Sequence, residues 1–389
     1  MGEASARTAA TGAVAQKRRL TALDAFRGLT VASMIFVSSL GDTSVVGQQL
    51  RHASWHGATF RDLIAPFFLF AMGAGMAFAF ARYVDRGQDP PYARILRRGL
   101  SLFVVGIGLN VALYAIPDGN LADLRLMGVL QRIALAYLVS AVVVLATSAR
   151  VQAALGAALL AGYEALLHWF PVPGHGAGVL TPEGNVAGWV DRVVIGEANL
   201  HRGGPTDPEG LLATLPAVVT VLLGYWTGRW LLGRSVSPRV SIRLVVLGAA
   251  AIGGALLWAE VTPLNKALWT PSFVLLTAGW GWLVLGVWYQ AVEVWRTRRL
   301  GWTFEVLGRN SLFAFVVPRV VANLLDEIPV EGPDGTVGLF TRVYEVTVAS
   351  WAPAFIGANG ASILFGLLVL VVWWFVHLAM YRRGVFLRL

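Results

Sequence analysis

Two histidines stand four residues apart in Leu50-Arg51-His52-Ala53-Ser54-Trp55-His56-Gly57, and Asp62 follows six positions later. Neutral imidazole is the side chain best suited to moving protons near pH 7, as a general base or as a nucleophile. A carboxylate beside it can orient the ring, although an acid at a helix start needs no such role. On a helix, the same spacing would place both rings on one face, as in a metal pair. The sequence supplies no third ligand for such a pair. Histidines beside a tryptophan at a membrane interface are also ordinary structural residues.

Other polar groups fall inside apolar segments, where charge is costly and marks either function or pairing between helices. These are Gln131-Arg132, Glu164, Arg309-Asn310 and Arg319 after Pro318. Glu164 and Arg319 read equally well as interhelical partners, whereas Gln131 and Arg132, being adjacent, cannot easily share one. Thr206-Asp207-Pro208-Glu209-Gly210 is explained by capping: Asp207 at the cap, Pro208 at the first helical position, Glu209 in the first turn. Lys266, one of two lysines, follows Asn265; it either snorkels or anchors an anionic group. Ser38, His56, Gln131, Arg132, Asp207, Asn265, Lys266 and Asn310 are therefore candidate linings of a substrate path.

The elements that must position these groups are membrane helices. Of 389 residues, 56% are hydrophobic and 14% charged, with a mean hydropathy of +0.64. A soluble domain carries about 25% charged residues. The chain has no cysteine, which excludes disulfides, thiol nucleophiles and thiolate metal sites. Its net charge of +9 is spread between apolar runs rather than gathered on one basic face, so no nucleic-acid partner is expected. Runs of about 20 apolar residues predict ten spans near 26–46, 58–81, 95–116, 125–147, 151–170, 210–232, 240–259, 268–292, 303–325 and 360–381. Residues 340–359 read as re-entrant or half-inserted.

The predicted fold is all-α, a polytopic membrane helix bundle of about ten spans with both termini cytoplasmic, because that orientation puts 21 of the 31 basic residues inside. Residues 1–18, with Arg7, Lys17 and Arg18, read as a disordered cytoplasmic tail, and 19–389 as one membrane domain. On the inner side lie Arg19 and Arg388 as well. Asp118 and Asp334 fall outside, as does every histidine except His377. Acid–base chemistry is thus expected at the outer face, beside the long Gly- and Pro-rich loop 171–209.

Several motifs then match a family in order. Arg19-Leu20-Thr21-Ala22-Leu23-Asp24-Ala25-Phe26-Arg27-Gly28 resembles its R-x-x-S-L-D-x-F-R-G opening, and His52-Ala53-Ser54-Trp55-His56-Gly57 its H-A-x-W-N-G block. Asp62 to Phe70 resembles D-L-x-x-P-x-F-x-F, and Gly128 to Ile133 resembles G-V-L-Q-R-I/L. Asp207 to Gly210, Pro263 to Trp269 and Gly308 to Ser311 match later blocks. This is a resemblance to the heparan-α-glucosaminide N-acetyltransferase family, grouped with the YeiB-like and acyltransferase-3 membrane acyltransferases. It implies transfer of an acyl group, acetyl above all, from cytosolic acyl-CoA to an amino-sugar or glycan acceptor at the outer face. The catalytic histidine carries over to His52. Ser38 stands where the family often has Asn, and His56 replaces the Asn of the motif. The large lumenal part of the animal enzyme has no counterpart here, which argues for an acceptor other than heparan sulfate.

That resemblance sets further expectations. Asp62 would orient His52, which acts as general base or carries the acyl group. Anionic acyl-CoA would meet Asp24, Arg27, Arg94, Arg97 and Arg98 on the cytosolic side. No metal is expected. Membrane lipid surrounds the chain, a homodimer is a possible assembly, and a bacterial cytoplasmic membrane is the expected location. O-acylation stays open beside N-acylation. The rival class is a transporter or flippase of a small anionic or sugar-linked substrate, which would need inverted repeats; the His52 motif has no counterpart after residue 200.

Overall fold

The computed structural model describes residues 20–116, 119–332 and 335–387. The expectations for the tail 1–18, for Arg19, and for Asp118, Asp334 and Arg388 lie outside the described residues. The spans are α1 (Thr21–Ser38), α2 (Phe60–Arg86), α3 (Tyr92–Asn110, continued by a π turn through Ala115), α4 (Val129–Ala146) and α5 (Ala149–Trp169). After a short α6 (Val186–Val194) follow α7 (Thr214–Leu232), α8 (Pro238–Ala259) and α9 (Pro271–Trp288, continued to Val294). A broken pair, α10 (Arg298–Gly308) and α11 (Ser311–Asp326), leads to the hairpin β1 (Pro329–Gly332) and β2 (Gly335–Gly338), with Val330 opposite Val337. Then come α12 (Leu339–Tyr344) and α13 (Pro353–Arg382). Among the described residues, nine helices are long and apolar enough to cross a membrane. The all-α bundle expected from the sequence is thus present, with one small hairpin added.

The ninth predicted span, 303–325, is not one helix. It breaks at Arg309-Asn310, and neither half is a full crossing alone. Backbone groups freed by a break inside a membrane need other partners. Here Asn310 supplies them to another chain segment, donating to the Val385 carbonyl at 2.9 Å and accepting the Leu387 N–H at 3.0 Å. The segment 340–359 also differs from a uniform half-insertion: it contains α12, a π turn and the first residues of α13, which kinks at Gly357 (φ 71°).

Successive crossings alternate in direction and create two faces. One holds the long connections 39–59, 170–213 and 260–270 (the loop face). The other holds the short turns and both described chain ends (the turn face), where Asp85 pairs with Arg229 at 2.6 Å and Ala22 N–H reaches Glu293 at 3.1 Å. Helices α2, α7 and α9 are two-thirds or more buried, while α3, α5, α8 and α13 are a third buried or less and present leucine, valine and phenylalanine outward. Lipid suits such a surface as water does not.

With lipid offering no hydrophobic drive between helices, close approach does the work. A Cβ on Gly28 of α1 would stand 1.8 Å from the Phe304 carbonyl of α10, and one on Gly73 of α2 would stand 1.9 Å from the Val221 carbonyl of α7. Only glycine permits these crossings. The loop-face parts of α1, α2 and α11, with the connections that carry His52, Glu209 and Lys266, surround one cavity.

Candidate active site

Asp62 opens α2 three residues after Thr59, where helix amides lack intrahelical partners. Its Oδ2 accepts the Thr59 N–H at 3.2 Å and the Ala53 N–H at 3.1 Å. Oδ1 is left for His52, whose Nδ1 lies 2.6 Å away. Lys266, from the connection between α8 and α9, brings Nζ to 3.6 Å from the same oxygen and 3.3 Å from His52 Nδ1. Asp62 is 1% exposed, so it stays ionised only through these contacts. With the Nδ1 proton directed at the carboxylate, the lone pair of a neutral imidazole is on Nε2. Burial, assisted by the Lys266 charge, holds His52 below its ordinary value against the opposing pull of Asp62. The ring is therefore neutral near pH 7. Burial likewise lowers the Lys266 ammonium, opposed by Glu209 and Asp62.

Half of the His52 side chain is exposed, and the residue lines a cavity of about 1040 Å³. Ser38, Asp62, Lys266, Arg61, Arg319 and Glu209 share its wall. Met34, Phe68, Ala314 and Phe315 are the lining residues farthest from the loop face; Phe68 and Phe315 meet edge to face at 6.1 Å. The residues 51–58 that carry both histidines are irregular, not helical. The condition for setting His52 and His56 on one face, a helix, is thus not met. Gly57, at φ 105°, turns the loop and donates to the Leu264 carbonyl at 2.7 Å. His52 faces Asp62, whereas His56 Nδ1 lies 3.3 Å from Asn265. Asn265 is fully buried and holds the Trp55 carbonyl and the Leu268 N–H; it ties the histidine loop to the turn that delivers Lys266.

A second network reaches the same wall through Arg125 and Glu209. Arg125 grips Asp207 through Nε at 2.9 Å and Nη2 at 2.6 Å, and its Nη2 also meets Glu209 at 2.6 Å. Burial works against the Arg125 charge, yet its two carboxylates raise it above its ordinary value. Burial would also raise Glu209, but Arg125, Lys266 and Arg132 hold it low. Asp207 further accepts the Glu209 N–H at 2.9 Å and the His201 N–H at 3.0 Å. It does not cap a helix at residue 208: α7 begins only at Thr214, because Arg125 and the turn 201–209 take the carboxylate. Arg132 and Gln131 are buried behind this network and are absent from the cavity wall. The Arg132 guanidinium lies 4.7 Å over the Trp269 ring, while its Nε and Nη1 have no hydrogen bond among the described residues. Glu164 bonds Trp258 of α8 and Thr262 in the connection after it, an interhelical tie.

The structure does not bring the remaining sequence candidates to this cavity. Asn310 holds the chain end at the turn face. Arg27 pairs with Asp24 at 3.8 Å and donates to the Ala71 carbonyl at 3.2 Å. Arg94 and Arg97 are exposed, and Arg98 lies 5.2 Å over Tyr137. None of these lines the cavity. Sequence reasoning passed over Arg61 and Arg125, which do line it; Arg125, the first residue of the fourth predicted span, could have been flagged as a charge on the acid-rich side.

Comparison with known proteins adds an independent observation. The family model described as heparan-alpha-glucosaminide N-acetyltransferase, catalytic, matches residues 19–254, a stretch that includes Ser38, His52, Asp62, Gln131, Arg132 and Asp207. The human heparan-alpha-glucosaminide N-acetyltransferase is 27% identical over 357 residues, covering 78% of this chain and 53% of the human protein. The mouse protein of the same name is 27% identical with 54% of its length covered. This chain spans about half the length of the curated relatives it matches.

Proposed function

Since this chain belongs to the heparan-alpha-glucosaminide N-acetyltransferase catalytic family, we propose that it transfers an acetyl group from acetyl-CoA to the amine of a glucosaminide-type sugar at the outer side of a bacterial cytoplasmic membrane. The observation that carries this reading is His52. Its Nδ1 is held by Asp62 and its Nε2 is left available in a cavity wide enough for a sugar.

In the direct route, the acceptor nitrogen attacks the thioester carbonyl while His52 Nε2 takes the amine proton. The C–N bond forms, the C–S bond breaks, and the proton passes to the departing thiolate. In the two-step route Nε2 itself attacks, CoA leaves as thiolate, and the acyl-imidazole is then opened by the amine. Both need an imidazole that is neutral at the working pH, and both use Asp62 to steady the imidazolium or acyl-imidazolium that develops. Lys266 keeps Asp62 ionised and prevents it from drawing the His52 proton equilibrium upward. Glucosamine is the simplest acceptor of this class.

For the donor, the proposed contacts are the turn-face guanidinium groups of Arg94, Arg97, Arg98 and Arg27, the last positioned by Asp24, which suit the CoA phosphates. The thin pantetheine arm would then pass the Phe68–Phe315 contact to bring the thioester to His52. Ser38 and Lys266 are proposed to line the acceptor path, with His56 and Asn265 holding the loop that positions His52.

The test is to mix the purified, detergent-solubilised chain with acetyl-CoA and glucosamine and to follow free CoA and acylated sugar, with His52→Ala as control. Acceptor-dependent CoA release that is lost in the control is expected. CoA release without acceptor, leaving label on the protein, selects the two-step route. Folded protein that neither binds acetyl-CoA nor turns over would contradict the proposal and favour a transporter.

A further inference from the structure

Three guanidinium groups line the His52 cavity without an ion pair among the described residues: Arg61, Arg202 and Arg319. The carboxylates of the same wall are all engaged elsewhere. Asp62 holds His52 and Lys266, and Glu209 holds Arg125. Glu345 pairs with Arg342 at 2.9 Å, Asp326 accepts the Thr341 N–H and hydroxyl at 3.2 and 3.0 Å, and Asp42 accepts the Ser44 N–H and hydroxyl, both at 2.7 Å.

Arg319 is the informative one. It lies seven residues before the loop-face end of α11, about 10 Å along the helix axis at 1.5 Å per residue, and is exposed into the cavity. A guanidinium at that depth is tolerated where it faces water or a partner and is otherwise costly. Arg61, beside Asp62, makes among the described residues only a long hydrogen bond from Nη1 to the Leu50 carbonyl at 3.4 Å, and it is near enough to Arg319 for the two charges to repel. Two like-charged forks that line one cavity, neither in an ion pair among the described residues, form a site that a shared anion would relieve.

We propose that Arg61 and Arg319 bind an oxyanion (phosphate, sulfate or carboxylate) carried by a substrate of the His52 centre, so that the preferred acceptor is an acidic amino sugar. The same chemistry could be presented by the phosphates of the donor, and the experiment separates the two. The proposal rests on the acyl-transfer reading for its choice of probes.

Turnover by the full chain is measured with acetyl-CoA and either glucosamine or glucosamine 6-phosphate, for the wild type, Arg61→Gln, Arg319→Gln and Arg319→Lys, each shown to be folded by its thermal transition. A charge-assisted contact is worth about tenfold or more. The wild type is therefore expected to favour the phosphorylated sugar by about tenfold or more in kcat/KM, each Gln variant to remove most of that preference, and Arg319→Lys to keep a large part of it. If the anion belongs to the donor, the Gln variants raise KM for acetyl-CoA about tenfold with both acceptors alike. Folded Gln variants that change neither the acceptor ratio nor the acetyl-CoA KM by more than twofold overturn the proposal. If no acceptor turns over even in the wild type, the acyl-transfer reading fails while the anion site is still decided. Equilibrium dialysis of glucosamine 6-phosphate and of acetyl-CoA then supports the site if binding is lost in the Gln variants, and overturns it if wild type and variants bind alike.

Discussion

Asp62 and Asp207 are each 1% exposed, each stands where the chain enters the bundle from the loop face, and each is held by a cation. They differ in what completes them. Around Asp207 every strong partner is fixed: a forked arginine, itself shared with Glu209, and two backbone amides. Around Asp62 the forked arginine is replaced by an imidazole and a lysine, and the imidazole keeps one nitrogen for the cavity. A saturated network can only hold the fold together. One that ends in a titratable ring at a cavity can also move a proton. Both reach the wall of one cavity, so a rigid part of the loop-face core adjoins the reactive one.

The comparison can be broken by exchanging which network carries activity. Removing Arg125 should give the largest loss of stability. Arg125→Ala strands two buried carboxylates, a change that costs about 3–5 kcal/mol, read as a fall in the thermal midpoint of the detergent-solubilised protein. An unchanged midpoint would show that the Asp207 network is not structural.

Lys266→Gln should have a smaller effect, and on pH rather than on folding. Lys266 lowers His52, so its loss lets the imidazole rise. The rising limb of kcat/KM, which tracks deprotonation of His52 and lies below pH 6.5 in the wild type, should move to higher pH, with a loss of less than about tenfold at pH 7. A limb that stays in place would remove Lys266 from the His52 environment.

The smallest effect concerns Asp191, beside the second network. Burial, with Asp207 nearby, pushes its carboxyl up to about 7, so the folded chain holds a proton that the unfolded chain releases near its ordinary value. Its contribution to stability is present at acid pH and is lost as the pH rises toward and through about 7. Asp191→Asn keeps an acceptor for the Leu211 N–H, seen at 2.8 Å, and should flatten that decline, by about a few degrees in midpoint.

Much of the fold is legible in the sequence because membrane spans are written as local apolar runs: nine of the ten predicted spans are single helices. The exception, the ninth, misleads for a nonlocal reason. Its break at Arg309-Asn310 is sealed by Val385 and Leu387, more than seventy residues later, and no window on 303–325 contains them. The same holds at the site. His52 and Asp62 are ten residues apart and could be paired on paper, but Lys266 arrives from 214 residues beyond His52, and Arg125 meets Asp207 across 82 residues. The spacing of His52 and His56 suggested a helical face because spacing is local. Gly57 and its bond to Leu264 turn that stretch into a loop.

The most direct test of the division between the two networks is acceptor-dependent CoA release by folded Asp62→Asn. The amide can still accept the Ala53 and Thr59 N–H bonds, so the fold should survive, but it cannot stabilise a charged imidazole at Nδ1. The expected result is a loss of about 10²-fold or more with the thermal midpoint nearly unchanged. Turnover at the wild-type rate would contradict the assignment of His52 and Asp62 as the reactive pair.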